Sequence, residues 1–182
     1  MYQPEAKLNF VQRHCPPAEG WRVYVDIDAS EEGRTGGVRA IPEAQATQLR
    51  MQTEGELARK SLAQLGAQVG GSRADWFKRQ HLPPIVGDRD IVAFHQASKR
   101  CLIAEVEGAS TGQPEQKLYK AIGQLVMATS ETLLPPEWTV GFVLVVVGDK
   151  IARHLARATS LKKLGISALS IDADPKKDRW LF

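Results

Sequence analysis

The longest apolar run of the sequence is Val140-Gly-Phe-Val-Leu-Val-Val-Val147. Most of its residues are β-branched or aromatic, which favours a strand. The run lacks the polar alternation of a strand that faces water on one side, so we expect it in the middle of a sheet with both faces covered. Helices are the usual cover for such a strand. The run therefore predicts an α/β fold.

Shorter patterns on either side of this run predict the other elements. Residues 21–28 alternate apolar and polar side chains, which is the period of a strand with one buried face. Two apolar runs, at 90–95 and 101–107, are separated by a short polar segment and predict a β-hairpin. Residues 70–89 contain several Gly and Pro and predict an irregular connection with one helical turn at about 74–79. A last strand is predicted over 166–171, and helices are predicted over 43–65, 114–134 and 149–164.

These elements follow one another in the order β-α-β-β-α-β-α-β, which predicts a mixed β-sheet flanked by helices. The 182 residues are enough for one domain with an ordinary core. We therefore predict a single domain over residues 1–182. Within it, residues 1–42 are predicted to be an N-terminal strand and loop extension, and residues 43–182 the core.

The charge and the cysteine content narrow the class of protein. The 24 basic and 21 acidic residues give a net charge of +3, which does not indicate a nucleic-acid partner unless the basic residues are clustered. Cys15 and Cys101 have no zinc-ligand spacing. The chain begins without the pattern of a signal peptide, and no apolar run approaches the ~18–20 residues of a membrane span. We expect a cytoplasmic protein with no membrane partner.

Three carboxylates are predicted to meet at one end of the hairpin. Asp90 begins the first strand, and Glu105 and Glu107 end the second. Glu105 and Glu107 are two residues apart, so they point to the same face of the sheet. Like charges on one small patch repel unless protons or a cation neutralise them. Oxygen ligands suit a hard divalent ion, so the pattern indicates Mg²⁺ or Mn²⁺.

The hairpin also resembles a known family. Asp-Ile-Val-Ala at 90–93 and Ala-Glu-Val-Glu-Gly at 104–108 are similar to the catalytic hairpin of the PD-(D/E)xK nuclease superfamily, which includes restriction endonucleases and Holliday-junction resolvases. The resemblance implies a restriction endonuclease-like fold in which Asp90, Glu105 and the backbone carbonyl of Val106 bind the metal. The position that is usually Lys is Glu107, as in some restriction enzymes of the superfamily. Glu107 would then act as a general base or as a further metal ligand.

The flanking helices extend the resemblance. In the helix before the hairpin, Glu56 matches the acidic residue that points into the metal site, and Glu54 is its rival. In the helix after the hairpin, Gln124 matches a glutamine that helps to organise the site, and Lys117 or Lys120 could replace the missing lysine. The alternatives are ordinary: Glu56 as a surface carboxylate, Gln124 as a cap for backbone groups, and the two lysines as solvated or phosphate-contacting side chains.

A basic stripe is predicted on the third helix. Lys150, Arg153, His154 and Arg157 recur at spacings of three and four, which places them on one helix face. Such a face suits the phosphates of a nucleic acid. The alternative is a solvated outer face that covers the apolar side of the same helix.

The leading hypothesis is a metal-dependent DNA endonuclease of restriction or repair type that hydrolyses phosphodiester bonds with Mg²⁺ or Mn²⁺. A duplex cutter of this kind is expected to be a homodimer, because two sites are needed to cut both strands. One competing hypothesis is a non-catalytic nucleic-acid-binding or assembly protein on the same fold. Another is an enzyme on a different α/β fold, in which the carboxylates would lie far apart.

Overall fold

The structure, a computed structural model, describes residues 1–27, 42–108 and 114–182. It is an α/β fold in which helices flank a mixed seven-stranded sheet. The helices are α1 (Gln3–His14), α2 (Pro42–Gln64), α3 (Arg73–Gln80), α4 (Pro114–Glu131) and α5 (Asp149–Leu155). The strands are β1 (Trp21–Val25), β2 (Gln68–Val69), β3 (Ile91–His95), β4 (Arg100–Glu107), β5 (Thr139–Val147), β6 (Ile166–Ile171) and β7 (Arg179–Trp180). Short 3₁₀ turns occupy Pro17–Glu19, Thr159–Leu164 and Pro175–Lys177.

The strands lie in the order β2-β1-β3-β4-β5-β6-β7. The pairs β1–β3, β3–β4 and β6–β7 are antiparallel, and the pairs β1–β2, β4–β5 and β5–β6 are parallel. The predicted hairpin is therefore confirmed as β3–β4. The apolar run forms the interior strand β5, and the strand at the centre of the seven is its neighbour β4.

Both faces of the sheet carry a hydrophobic core, as the apolar run predicts. Along β5, Leu144 and Val146 face one core, and Val143 and Val145 face the other. The first core contains buried side chains of α3, α4 and α5. The second contains buried side chains of α1 and α2. This alternation explains why β5 has no polar position in its second half.

The prediction that residues 1–42 form only a strand and a loop was wrong, because residues 3–14 form α1. Pro4 occupies the first turn of α1, where a proline costs no hydrogen bond. The buried side chains Ala6, Lys7, Phe10 and Val11 recur at helical spacing. The helical stripe is hard to recognise because a lysine holds one of its buried positions. Residues 28–41 of the predicted extension lie outside the described residues.

Two further predictions of elements need correction, and two short strands were missed. The helix predicted over 149–164 is divided into α5 and the 3₁₀ turn Thr159–Leu164. Thr159 and Ser160 follow the break, and both residue types compete for backbone hydrogen bonds in a helix. The single turn predicted at 74–79 is the two-turn helix α3, Arg73–Gln80. Its N-cap is Ser72, whose Oγ accepts the backbone N–H of Asp75. The edge strands β2 and β7 were not predicted, since two residues are too short for a periodic signal.

Among the helices of the described residues, none is both long enough and apolar enough to cross a bilayer.

Arg13 links the C-terminal end of α1 to residues 172–178 of the C-terminal segment. Its Nη1 donates to the backbone carbonyl of Asp172 at 2.7 Å and to Asp178 Oδ1 at 2.9 Å. Both side chains of the ion pair are largely shielded from solvent. We expect Arg13→Met to lower the free energy of unfolding by about 2 kcal/mol, because hydrogen bonds between charged groups are lost. Urea denaturation measures this, with the exposed neighbour Gln12→Met as control, and equal stability of both variants would contradict it.

Candidate active site

The register of the hairpin brings Asp90 and Glu105 together. Ile91 pairs with Ala104, so the residues one step further out, Asp90 and Glu105, lie opposite each other. The Oδ2 atom of Asp90 accepts the backbone N–H of Val106 at 2.7 Å. The two carboxyl groups are therefore adjacent, contrary to the expectation for a coincidental acidic cluster on another fold.

Glu105 is the most constrained acid of the site. Only 3% of the residue is exposed, and its Oε1 atom meets no hydrogen-bond donor. Burial is the main cause that raises the pKa of this carboxyl well above its ordinary value, and the charge of Asp90 adds to it. Asp90 and Glu105 are close enough to share a hydrogen bond, which needs a proton on one of the two carboxyl groups. The raised pKa of Glu105 favours that residue as the carrier of the proton.

Glu107 lies two residues further along β4, on the same face as Glu105. Partial burial raises the pKa of Glu107 to about 7, and the charge of Asp90 acts in the same direction. The nearby ammonium groups of Lys117, Lys7 and Lys120 oppose this shift. Glu107 can therefore gain or lose a proton near neutral pH.

These three acids line a polar cavity of about 300 Å³. One helix supplies the opposite wall, because Lys117, Lys120 and Gln124 of α4 also line it. Their spacing of three and four residues places them on one helix face. The structure thus brings together six of the residues predicted from the sequence, from one hairpin and the helix that follows it.

Lys7 of α1 belongs to the site but was not predicted. Its side chain is fully buried, and its Nζ lies 2.8 Å from Asp90 Oδ1. The same Nζ donates to the backbone carbonyl of Asp26 at 2.6 Å. The available sequence signal was a lysine within the apolar stripe of a short helix, between Ala6 and Phe10. Because residues 1–20 were not predicted to be helical, this signal was missed.

Two more residues beside the acids were also missed. Arg89 precedes Asp90 and is buried, with its Nη2 3.0 Å from Glu131 Oε2 on α4. Its positive charge lowers the pKa of Glu105, against the larger effect of burial. Asp26 follows β1 and lines the same cavity, and its backbone N–H donates to the Asp90 carbonyl at 2.8 Å. Neither residue belongs to a recognisable motif.

The structure does not bring the predicted residue Glu56 to this cavity. Glu56 is exposed on α2 and is not among the lining residues, and neither is its rival. The rival, Glu54, forms an exposed ion pair with Arg50 at 2.7 Å. Glu56 thus occupies the ordinary surface position that was its alternative.

The predicted basic residues lie together and away from the acids, but Arg157 follows the end of α5 and is not on the helix as predicted. Lys150, Arg153 and Arg157 are exposed and line a second cavity of about 240 Å³. His154 lies in the same lining, 3.3 Å from the hydroxyl of Tyr119 on α4. The helix α4 therefore has the acidic cavity on one side and the basic stripe on the other.

The acidic cavity fits a divalent ion that needs few protein ligands. Among the residues described by the structure, no three His, Cys, Asp or Glu side chains form a group that could hold a metal. Mg²⁺ is commonly bound by one or two carboxylates, and it takes its remaining ligands from water and a phosphate. Asp90 and Glu105, with its buried oxygen that lacks a donor, supply such a pair.

Comparison with protein-family models, with curated proteins and with solved structures finds no match for this chain. A functional interpretation therefore rests on the residues of the site itself.

The raised pKa values of Glu105 and Glu107 predict how stability depends on pH. Each folded-state pKa lies above the ordinary value of 4.5, so the folded protein holds protons that the unfolded chain has released. Without divalent ions, the free energy of unfolding should be largest near pH 5 and fall towards pH 8. The fall should be at most about 1.4 kcal/mol per pH unit for each carboxyl. Urea denaturation between pH 5 and 8 measures it.

The neutral variant Glu105→Gln provides the control for this measurement. It cannot lose a proton, so its stability should depend less on pH over the same interval. A wild-type protein that becomes more stable towards pH 8 would contradict the assignment of protons to these two carboxyl groups.

Proposed function

We propose that the protein is a metal-dependent endonuclease of the PD-(D/E)xK type, which hydrolyses phosphodiester bonds of DNA with Mg²⁺ or Mn²⁺. The observation that carries the proposal is the buried carboxyl of Glu105 beside Asp90, with an oxygen that has no donor, in the lining of a polar cavity. A pair of this kind costs free energy unless a proton or a cation lies between the two groups. The lysines and the glutamine opposite suit a phosphate.

Each side chain of the cavity has a distinct task in this proposal. Asp90 and Glu105 hold the ion, which when bound polarises the scissile phosphate and makes water a better nucleophile. Glu107 accepts a proton from the attacking water, because its pKa of about 7 matches the working pH. The carbonyl of Val106, placed between the two glutamates, remains the proposed third oxygen ligand.

The wall formed by α4 positions the substrate. Lys117 and Lys120 are exposed at the cavity and can contact the negative oxygens of the phosphate backbone. Gln124 is partly buried there, and its amide can donate to a phosphate oxygen or orient a water. The basic stripe of Lys150, Arg153 and Arg157 would contact phosphates further along the strand.

The proposal extends to the assembly and the cellular location. A homodimer would place two such cavities on the two strands of a duplex. The two cysteines, Cys15 and Cys101, are free and buried, which suits the reducing cytoplasm.

A cleavage assay tests this function. The protein is incubated with supercoiled plasmid and with single-stranded, duplex and branched oligonucleotides, in Mg²⁺, Mn²⁺ or EDTA. We expect nicked or shortened products with either ion and intact substrate in EDTA. If cleavage is observed, the preferred substrate separates a restriction role from a repair role. Intact substrates under every condition, with folded protein, would contradict the proposal.

The ion pair between Lys7 and Asp90 favours a second candidate, a nucleic-acid-binding or assembly protein without catalysis. Their 2.8 Å contact partly neutralises the acidic cluster without any metal. Such a protein would bind DNA equally well in Mg²⁺ and in EDTA, and it would leave every substrate intact. Binding that is measured beside the cleavage assay distinguishes the two candidates.

A further inference from the structure

Lys7 is an unusual residue to find inside this protein. It is the only fully buried lysine of the described residues, and its Nζ lies within 2.8 Å of Asp90 Oδ1. Removing an ammonium group from water costs several kcal/mol before its partners are considered. The side chain therefore stays inside because the negative charge around it compensates that cost.

The position of Lys7 is imposed by the docking of α1 and not by its own charge alone. Phe10 and Val11 of the same helix are buried in the core beneath the sheet. At the start of the helix, the backbone of Gln3 packs closely against Gly108, the residue after β4. At its end, Arg13 bonds to Asp178. These contacts hold the ammonium group of Lys7 at the acidic cluster.

Both oxygens of Asp90 have partners, and Lys7 is the charged one. Its Nζ contacts Oδ1, whereas Oδ2 accepts the backbone N–H of Val106 and the side-chain amide of Gln3. The positive charge of Lys7 also acts on Glu105 and Glu107, because it lowers the pKa of both carboxyl groups. A second cation that entered the cavity would lie near this first one and be repelled by it.

We propose that Lys7 is a built-in counterion of the site: it holds Asp90 in place and, by occupying one of its oxygens, weakens the binding of the divalent ion. Lys7 is a positioning residue, because it is fully buried and cannot contact a substrate. The inference rests on the proposed function, because the ion whose binding Lys7 weakens is the divalent ion assigned to Asp90 and Glu105.

Replacement of Lys7 by Met tests this inference, because Met keeps most of the volume and removes the charge. Affinity is measured by titration calorimetry with Mn²⁺ alone, and stability by thermal unfolding with and without Mn²⁺. We expect Lys7→Met to unfold at a lower temperature without the ion. Its Mn²⁺ affinity should rise at least about tenfold, since a positive charge close to the ion is removed. The stabilisation by Mn²⁺ should grow accordingly.

Lys60→Met is the matched control. It removes the same charge from an exposed position of α2 outside the cavity, where solvent screens it, so its effect should stay below about threefold. If Lys7→Met does not fold, Lys7→Gln carries the same test, because its amide can still donate to the carbonyl of Asp26.

The outcomes separate this inference from the proposed function. Mn²⁺ binding that is unchanged or weaker in the folded Lys7 variant would overturn the counterion role alone. No binding by the wild type, with binding gained by the variant, would support the counterion role and overturn the metal-dependent function. No binding by any variant would overturn both.

Discussion

Glu105→Gln is expected to lower metal-dependent cleavage of DNA at least about a thousandfold while the protein stays folded. Burial raises the pKa of this carboxyl and so favours its neutral form, which an amide of the same shape replaces at little cost. The amide cannot become an anion, so the divalent ion loses one of its two charged ligands and keeps only Asp90. Single-turnover cleavage rates measure the loss, and thermal unfolding checks the fold.

Two further variants complete this test. Asp90→Asn should also abolish cleavage, but it should be less stable, since the buried ammonium group of Lys7 then loses its 2.8 Å contact with a charged carboxylate. Glu115→Gln is the control, because Glu115 is an exposed acid on α4 that lines the cavity of the basic residues and not the acidic cavity. Cleavage by Glu105→Gln at the wild-type rate would show that the carboxyl pair takes no part in the reaction.

The second large effect is expected from Gly108→Ala. An added Cβ would lie 2.2 Å from the backbone nitrogen of Gln3 and 2.6 Å from its Cα, and backbone atoms cannot swing aside as a flexible side chain can. The start of α1 must therefore move away from the end of β4. We expect a loss of about 3 kcal/mol in the free energy of unfolding, at the upper end of ordinary overpacking. Urea denaturation measures it.

Gly123→Ala is a control with the opposite sign. Gly123 lies within α4, and an added Cβ there meets no atom within 4 Å. Alanine is the better helix former, so this variant should gain about 0.5–1 kcal/mol. If Gly108→Ala were as stable as Gly123→Ala, the close contact between α1 and the hairpin would be wrong.

Most of the acidic cavity could be predicted because its residues lie close together in the sequence. A hairpin fixes the relation of Asp90 to Glu105 through its register, and the period of two fixes Glu107. The spacing of Lys117, Lys120 and Gln124 likewise fixes one face of a helix. These local periods can be read without knowledge of the tertiary fold.

The contribution of α1 could not be predicted in this way. Lys7 and Asp90 lie far apart in the sequence, and only the packing of α1 on the sheet brings them into contact. Asp26 depends in the same way on the pairing of β1 with β3. The sequence did place a lysine within an apolar stripe, but a charged residue in such a stripe weakens the signal for a buried helix face.

Glu56 shows the opposite error, in which a family pattern prevailed over local geometry. Ala58 and Leu62 are the buried residues of that part of α2, four positions apart. Glu56 lies two positions before Ala58, and two positions turn a helix by more than half a revolution. The periodicity alone therefore places Glu56 on the exposed side, where the structure has it.

Calorimetric titration of the protein with Mn²⁺ at pH 7.5, in two buffers with different heats of protonation, tests the central claim most directly. The claim is that Asp90 and Glu105 exchange a proton for a divalent ion. The account predicts that wild-type protein releases about one proton for each Mn²⁺ bound, because a ligand carboxyl must be deprotonated. Glu105→Gln should release fewer protons and bind more weakly. Mn²⁺ binding with no proton release, or with equal release from the variant, would contradict the account.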